Sequence, residues 1–201
     1  TAEEFIAYCA RVSNPANQNN KETDSKLLTY LATNKHWSPF EMVSLTISIK
    51  TTRDIARQIL RHRSFSFQEF SQRYAKVLNF VEPRETRLQD LSNRQNSITV
   101  EDECLEDWWA DSQNQVMDLA KEFYEEALDK GIAKEQARAI LPEGLSVSTL
   151  YISDTLRSWI HYCQLRMANG TQSEHAEIAR KCWEIILKEF PSLKDILKHE
   201  I

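Results

Sequence analysis

Glycine is nearly missing from this chain, with three in 201 residues. No Gly-rich turn is written anywhere in it, which excludes a P-loop or Rossmann-type cradle for any nucleotide it holds. Cysteine is sparse too: Cys9, Cys104, Cys163 and Cys182 show no C-x-x-C spacing and no histidine at metal-ligand distance. They read as reduced, mostly buried thiols of an intracellular protein, neither a disulfide framework nor a zinc site. Aspartate and glutamate are plentiful but lack metal-binding spacing, so no metal is expected. No apolar run nears the roughly 20 residues of a membrane span, and no export signal opens the sequence. A cytoplasmic location without a membrane partner is therefore expected. The net charge of −5 speaks against a general nucleic-acid binder, whose affinity comes from cations.

The patterns that are present read as α+β, helix-rich, with a small mostly antiparallel sheet and a single domain over 1–201. Helical spacing of apolar residues marks 2–12, 23–33, 52–62, 103–130, 133–140 and 172–189, with a short terminal helix after Pro191. Ser153 or Asp154 is expected to cap a further helix that runs to about 167. Val43, Leu45, Ile47 and Ile49 alternate with polar residues over 42–50, which predicts a strand with one buried face. Residues 145–152 alternate in the same way, and 76–81 are expected as another strand stopped by Pro83. The run 64–71 reads as an irregular loop entering a short helix, because Phe67, Phe70 and Tyr74 take helical spacing. The charged segment 84–100 reads as a loop or lid. On 103–130, Trp108, Trp109, Val116, Leu119, Ala120, Phe123, Ala127 and Leu128 form the apolar stripe, with the tryptophans read as core or subunit-contact residues.

Cations concentrate in one place. Arg53, Arg57, Arg61, Arg63 and Arg73 fall close together in an acidic chain. They are either a small-anion site, since guanidinium groups grip phosphate in bidentate fashion, or a solvated, salt-bridged face. Gln58 and Arg61 are three apart on a predicted helix and share a face. His62, between two arginines, should resist protonation because like charges disfavour the imidazolium. Ser71 has no adjacent His-Asp pair, so a hydrolase triad is poorly supported. A phosphate site with few acid or base groups suits an enzyme whose cofactor supplies the chemistry.

The pattern Arg61-His62-Arg63, seven residues, Ser71, one residue, Arg73 resembles the signature of the flavin-dependent (alternative) thymidylate synthases. His36-Trp37-Ser38-Pro39-Phe40-Glu41 resembles the upstream His-x-Ser/Thr-x-x-Glu element of that family. Ala137-Arg138-Ala139-Ile140-Leu141-Pro142 is similar to its Ala-Arg-x-x-Leu-Pro segment, and Leu156-Arg157-Ser158-Trp159-Ile160-His161 with Leu165-Arg166 to its downstream helix. Residues 93–97 resemble a subgroup found among viral and some bacterial members. The elements come in family order across nearly the whole chain.

The resemblance implies the thymidylate synthase-complementing protein fold and a homotetramer with active sites at subunit interfaces, working in the cytoplasm, or the host cytoplasm for a viral member. It implies synthesis of dTMP from dUMP, with 5,10-methylenetetrahydrofolate as one-carbon donor and NADPH reducing a bound FAD. The implied dUMP ligands are Gln58, Arg61, Glu69, Ser71, Gln72, Arg73, Arg138 and Arg166. The implied FAD ligands are Ser38, Glu41, Arg61, His62, Arg63, Glu69, Thr155, Arg157 and His161. Arg166 is the implied catalytic residue, polarising the pyrimidine edge; no enzyme nucleophile is needed, and Ser71 becomes a phosphate ligand rather than a nucleophile. Three positions depart from the family pattern: Gln72 stands where many members have glycine, and Thr155 and His161 where asparagines are common. The sequence also opens at Thr1, where relatives often have a leading strand.

Two other readings remain at this stage. A non-catalytic nucleotide- or RNA-binding module using the Arg-rich helix predicts no flavin and affinity that falls steeply with salt. An enzyme of this fold that has lost flavin binding through Thr155 and His161 is the other.

Overall fold

Apolar residues at spacings of two and of 3.6 sort the described residues into five strands and seven α-helices. The computed structural model describes residues 1–77 and 79–196. In chain order these elements are α1 (Ala2–Ala10), α2 (Asp24–Thr33), β1 (Ser44–Thr52), α3 (Arg53–Ile59), β2 (Ser66–Glu69), β3 (Arg87–Gln89), β4 (Ser97–Thr99), α4 (Glu103–Asp129), α5 (Lys134–Ala137), β5 (Val147–Thr155), α6 (Leu156–Met167) and α7 (Ser173–Glu189). A 3-10 turn at Ser38–Glu41 precedes β1, another at Arg138–Ile140 follows α5, and a third at Pro191–Leu193 follows α7. The main sheet has the order β1-β5-β2, and β3 pairs with β4 in a separate antiparallel hairpin. The architecture is α+β and helix-rich. No helix among the described residues is long and apolar enough to cross a membrane.

The chain groups into two compact units, the first made of Thr1–Ile47, His62–Ser66 and Ile152–Ile201, the second of Ser48–Arg61 and Phe67–Tyr151. In the first unit α6 and α7 bury Leu156, Trp159, Ile160, Tyr162, Ala179 and Ile186. Thr1 opens α1 with a capping box, its Oγ1 accepting from the Glu4 amide at 3.2 Å while Glu4 accepts from the terminal amine. Buried Arg11, just past α1, donates to Asp24 Oδ1 (2.5 Å), Asn20 O (2.6 Å) and Thr23 Oγ1 (3.0 Å). That one guanidinium ties the Asn-rich loop down between α1 and α2. α2 ends in a Schellman turn: the His36 amide donates to Leu31 O (2.8 Å) and the Lys35 amide to Ala32 O (3.0 Å), with Lys35 at a φ of 59°. The turn redirects the chain into Trp37 and the Ser38–Glu41 turn. Trp159 Nε1 donates to Leu45 O at 3.2 Å and locks α6 to β1.

The second unit packs Val77, Tyr124, Ala137 and Leu141 into a small core, and the Val77 amide donates to the Tyr124 hydroxyl at 3.2 Å. Arg84 anchors the segment after Pro83. Its Nη2 reaches Thr52 Oγ1 (2.8 Å) and Asp54 Oδ1 (2.7 Å), and its amide and carbonyl pair with the Gln113 side chain at 2.9 and 3.0 Å. Gly131, at a φ of 82°, ends α4 where the Gly131 and Ile132 amides bond back to Leu128 O and Ala127 O.

Several expectations are corrected. The 64–71 run is not a loop entering a helix: Ser66–Glu69 is strand β2, and the Phe70 amide donates to Thr149 O at 2.9 Å. Part of 84–100 is the β3–β4 hairpin, with Leu88 opposite Ile98. In 76–81 only Phe80 forms a bridge, to Ser146, with Val81 and Asn79 bonded to Leu145 and Val147; Leu78 lies outside the described residues. The cap of α6 is Thr155, not Ser153 or Asp154, its Oγ1 accepting from the Ser158 amide at 3.4 Å. Helix α3 stops at Ile59, short of the expected 62. Of the cysteines, Cys163 and Cys182 are buried, but Cys9 is half-buried and Cys104 exposed.

Candidate functional site

In the first unit a cavity of about 510 Å³ opens where the Ser38–Glu41 turn faces the start of α6. Trp37, Glu41, Ser64, Asp154, Arg157 and His161 are among its walls, with Thr155 and Gln164. The elements place these side chains for local reasons. The Pro39 turn brings Glu41 round to the Arg157 guanidinium, with which it pairs. Positions 157, 161 and 164 recur at helical spacing on α6 and so face one way. Thr155 spends its hydroxyl on the helix, accepting from the Ser158 amide and donating to Ser158 Oγ at 3.3 Å. Beside it, Asp154 Oδ1 accepts from the Thr155 amide at 2.6 Å, while its buried Oδ2 has no hydrogen-bond partner among the described residues. Donors (Arg157, His161, Gln164), acceptors (Glu41, Asp154) and a flat indole (Trp37) thus line one space within the usual size of a cofactor pocket.

His62 is buried, with its ring 4.9 Å from that of Tyr162 and 5.5 Å from that of Phe65. Arg166 Nε donates to His62 Nε2 at 3.3 Å. Burial first, then the charges of Arg166 and His161, hold the His62 pKa down to about 4. The ring is therefore neutral near pH 7, and accepting at Nε2 puts its proton on Nδ1. The expectation that His62 stays neutral holds for a different main cause than its flanking arginines. Arg166 itself occupies the last turn of α6, where the helix dipole favours a cation. Below it, fully buried His175 of α7 meets the Tyr162 hydroxyl at 3.2 Å, and burial with the Arg166 and His62 charges lowers its pKa to about 4.

The second unit holds the other set. The Arg61 amide donates to Gln58 O at 3.3 Å, continuing the turn although α3 has ended. Glu69 Oε1 accepts from Ser148 Oγ at 2.7 Å and lies 3.5 Å from Arg53 Nη1. Arg73 Nε is 3.5 Å from Glu135 Oε2, and Arg138 Nε donates to Glu135 O at 3.3 Å, so Arg73 and Arg138 meet at one residue. Ser71 Oγ accepts from the Arg73 amide at 3.4 Å. Gln72 is buried with its Nε2 donor unpaired, as an anion or carbonyl ligand requires.

Of the clustered arginines, Arg53, Arg57 and Arg73 are held by Glu69, Glu143 and Glu135. Arg61 and Arg63 are exposed and carry no ion pair among the described residues. The cluster is thus part salt-bridged face and part available cation. Glu41, Thr155, Arg157 and His161 come together around the first unit's cavity, with His62 and Arg166 bonded to each other in the same unit. Ser38 shares the turn of Glu41 but is not in the cavity wall, and exposed Arg63 adjoins Ser64, which is. Gln58, Arg61, Glu69, Ser71, Gln72, Arg73 and Arg138 belong to the second unit.

Sequence reasoning missed Trp37, Asp154 and His175 as site residues. His175, Ala179, Cys182 and Ile186 fall on one buried face of α7, and that phase was a readable signal. For Asp154 there was none, since only the pairing of its neighbour with Ser158 leaves its carboxylate over. The two buried thiols stay protonated near neutral pH: burial pushes Cys182 up to about 12 and Cys163 well above the usual thiol range. Among the described residues no group of three or more His, Cys, Asp or Glu side chains is arranged to hold a metal.

The family model described as thymidylate synthase complementing protein matches residues 1–192 of this chain. The chain is 54% identical over 197 residues to a probable flavin-dependent thymidylate synthase of Paramecium bursaria Chlorella virus 1, covering 98% of this chain and 91% of that one. It is 50% identical over 196 residues to a flavin-dependent thymidylate synthase of Synechocystis, covering 98% and 89%. Among solved structures it is similar to a UMP/dUMP methylase, PolB, from Streptomyces cacaoi bound with 5-Br dUMP. There the TM-score is 0.84 and the identity 26%, covering 99% of this chain and 92% of that one.

Proposed function

Because this chain belongs to the thymidylate synthase complementing protein family, we propose that it is a flavin-dependent thymidylate synthase, methylating dUMP to dTMP. Bound FAD supplies hydride chemistry, with NADPH as its reductant and 5,10-methylenetetrahydrofolate as the one-carbon donor. The cavity residues fit a flavin nucleotide. Arg157, His161 and Gln164 offer donors, Glu41 and the unpaired Asp154 Oδ2 offer acceptors, and Trp37 offers a flat apolar wall. Ser38, Arg61, Arg63 and Glu69 complete the flavin ligands in this reading, with Thr155 shaping the cavity through its cap.

The observation that carries the reading is the Arg166 guanidinium, fixed through Nε by a neutral imidazole. Nε is occupied, so the two Nη groups are the ones left to face a pyrimidine N3–O4 edge. A guanidinium held there stabilises negative charge that develops as the ring is activated, without reorganising. Ser71 has an amide, not a base, on its Oγ. With Gln72 and Arg73 it serves as a phosphate ligand, beside Gln58, Glu69 and Arg138 as further dUMP ligands. Both units serve this one activity, so the chain is one functional domain, and it works in the cytoplasm where these dissolved substrates meet. The apolar stripe of α4 suits a homotetramer.

The alternative of an RNA-binding module is weakened by the ion pairs that hold Arg53, Arg57 and Arg73, since such binding draws on many free cations. The test is a visible spectrum of the purified protein after adding FAD and removing the excess. Bands near about 370 and 450 nm that shift on adding dUMP are expected; a colourless protein that retains no FAD would sink the reading.

A further inference from the structure

We propose that Arg53 and Ser148 are positioning residues that hold the Glu69 carboxylate by one oxygen so that the other is presented to the bound nucleotide. The inference rests on the reading of Glu69 as a nucleotide ligand. Both residues are out of place without Glu69. Ser148 lies on the central strand β5, 1% exposed, on the same face as buried Leu150 and Ile152. A hydroxyl there costs free energy unless it finds an acceptor, and its acceptor is Glu69 Oε1 at 2.7 Å. Arg53 is the first residue of α3. A cation at a helix N-terminus faces the positive end of the dipole, and the carboxylate 3.5 Å from its Nη1 offsets that repulsion. Its backbone is pinned as well, the Arg53 amide donating to Ser146 O at 3.0 Å, two residues before Ser148.

Three elements, α3, β2 and β5, therefore converge on one oxygen of Glu69. Oε2 makes no hydrogen bond among the described residues. A free glutamate samples several rotamers and loses them on binding; one clamped at Oε1 has lost them already, so its Oε2 meets a hydroxyl or N–H of the nucleotide preorganised.

The test uses the FAD-loaded full chain. The dUMP dissociation constant is read from the flavin spectrum and retained FAD from its absorbance, for Ser148→Ala, Arg53→Gln, Arg53→Lys and Ser148→Thr, each alone and with Glu69→Gln. Ser148→Ala and Arg53→Gln are each expected to weaken dUMP or FAD by about tenfold with Glu69 present and by less than about twofold in the Glu69→Gln background. Arg53→Lys and Ser148→Thr, which keep a donor, are expected to recover most of the loss. Equal losses in both backgrounds would reveal a merely structural role and overturn the proposal, as would unchanged affinities. A parent chain that binds neither FAD nor dUMP overturns the underlying function, a result distinguishable because it appears before any substitution is made.

Discussion

At the scale of single residues, Arg166 and His62 act as a pair. Arg166→Ala is expected to keep FAD, as its absorbance will show, and to lose about a hundredfold or more in kcat. The neutral histidines carry a second consequence. His62 and His175 titrate near 6.5 in an unfolded chain and near 4 in the fold, so the unfolded state binds more protons between those values. Stability from these groups is intact above pH 6.5, falls as the pH drops from 6.5 to about 4, and loses nothing further below. The loss is on the order of a few kcal/mol, visible as a falling urea midpoint, and His175→Gln should flatten part of the slope. The sequence made His62 legible because it sits inside a long signature, and its neutrality followed from charge alone. The dominant cause is burial, to which the ring of Tyr162, far away in the chain, contributes along with nearby Phe65. The same holds for Glu69, whose partners Arg53 and Ser148 no local pattern could join.

At the scale of elements, the long amphipathic segments were readable and the short ones were not. Phe67, Phe70 and Tyr74 imitate a helical spacing, but four residues of alternation in β2 are too few to compete with it. The issue is decided by pairing with the neighbouring strand. The β3–β4 hairpin has three-residue strands with little burial, so neither spacing appears. Two predictions belong here. Lys35 takes a left-handed conformation at the end of α2, so Lys35→Gly should stabilise the fold by about 0.5–1 kcal/mol in chemical denaturation. Asp24→Ala leaves the buried Arg11 guanidinium without its carboxylate and should destabilise by about 3–5 kcal/mol, with the loss read in the same experiment.

For the molecule as a whole, the apolar stripe of α4 divides in two: Ala127 and Leu128 pack against the second unit's core, and the rest of the stripe lies open. The buried residues of α4 are Gln113 and Tyr124, whereas Trp108, Val116, Leu119 and Phe123 are each at least half exposed. A 3.6-residue period reports that a helix has an apolar face, and says nothing about whether this chain or another covers it. The double substitution Leu119→Glu with Phe123→Glu should reduce the proposed homotetramer to smaller species by light scattering. Each lost side chain is worth on the order of 1.5–3 kcal/mol of burial.

In the proposed homotetramer, the α4 stripe would also tie the activity to protein concentration. In the proposed homotetramer a neighbour covering those indoles and phenyl rings stabilises each copy by mass action, so the melting temperature is expected to climb as the protein is concentrated. For that proposed tetramer, dilution is expected to lower the specific activity as subunits part, and concentrating the protein to restore it.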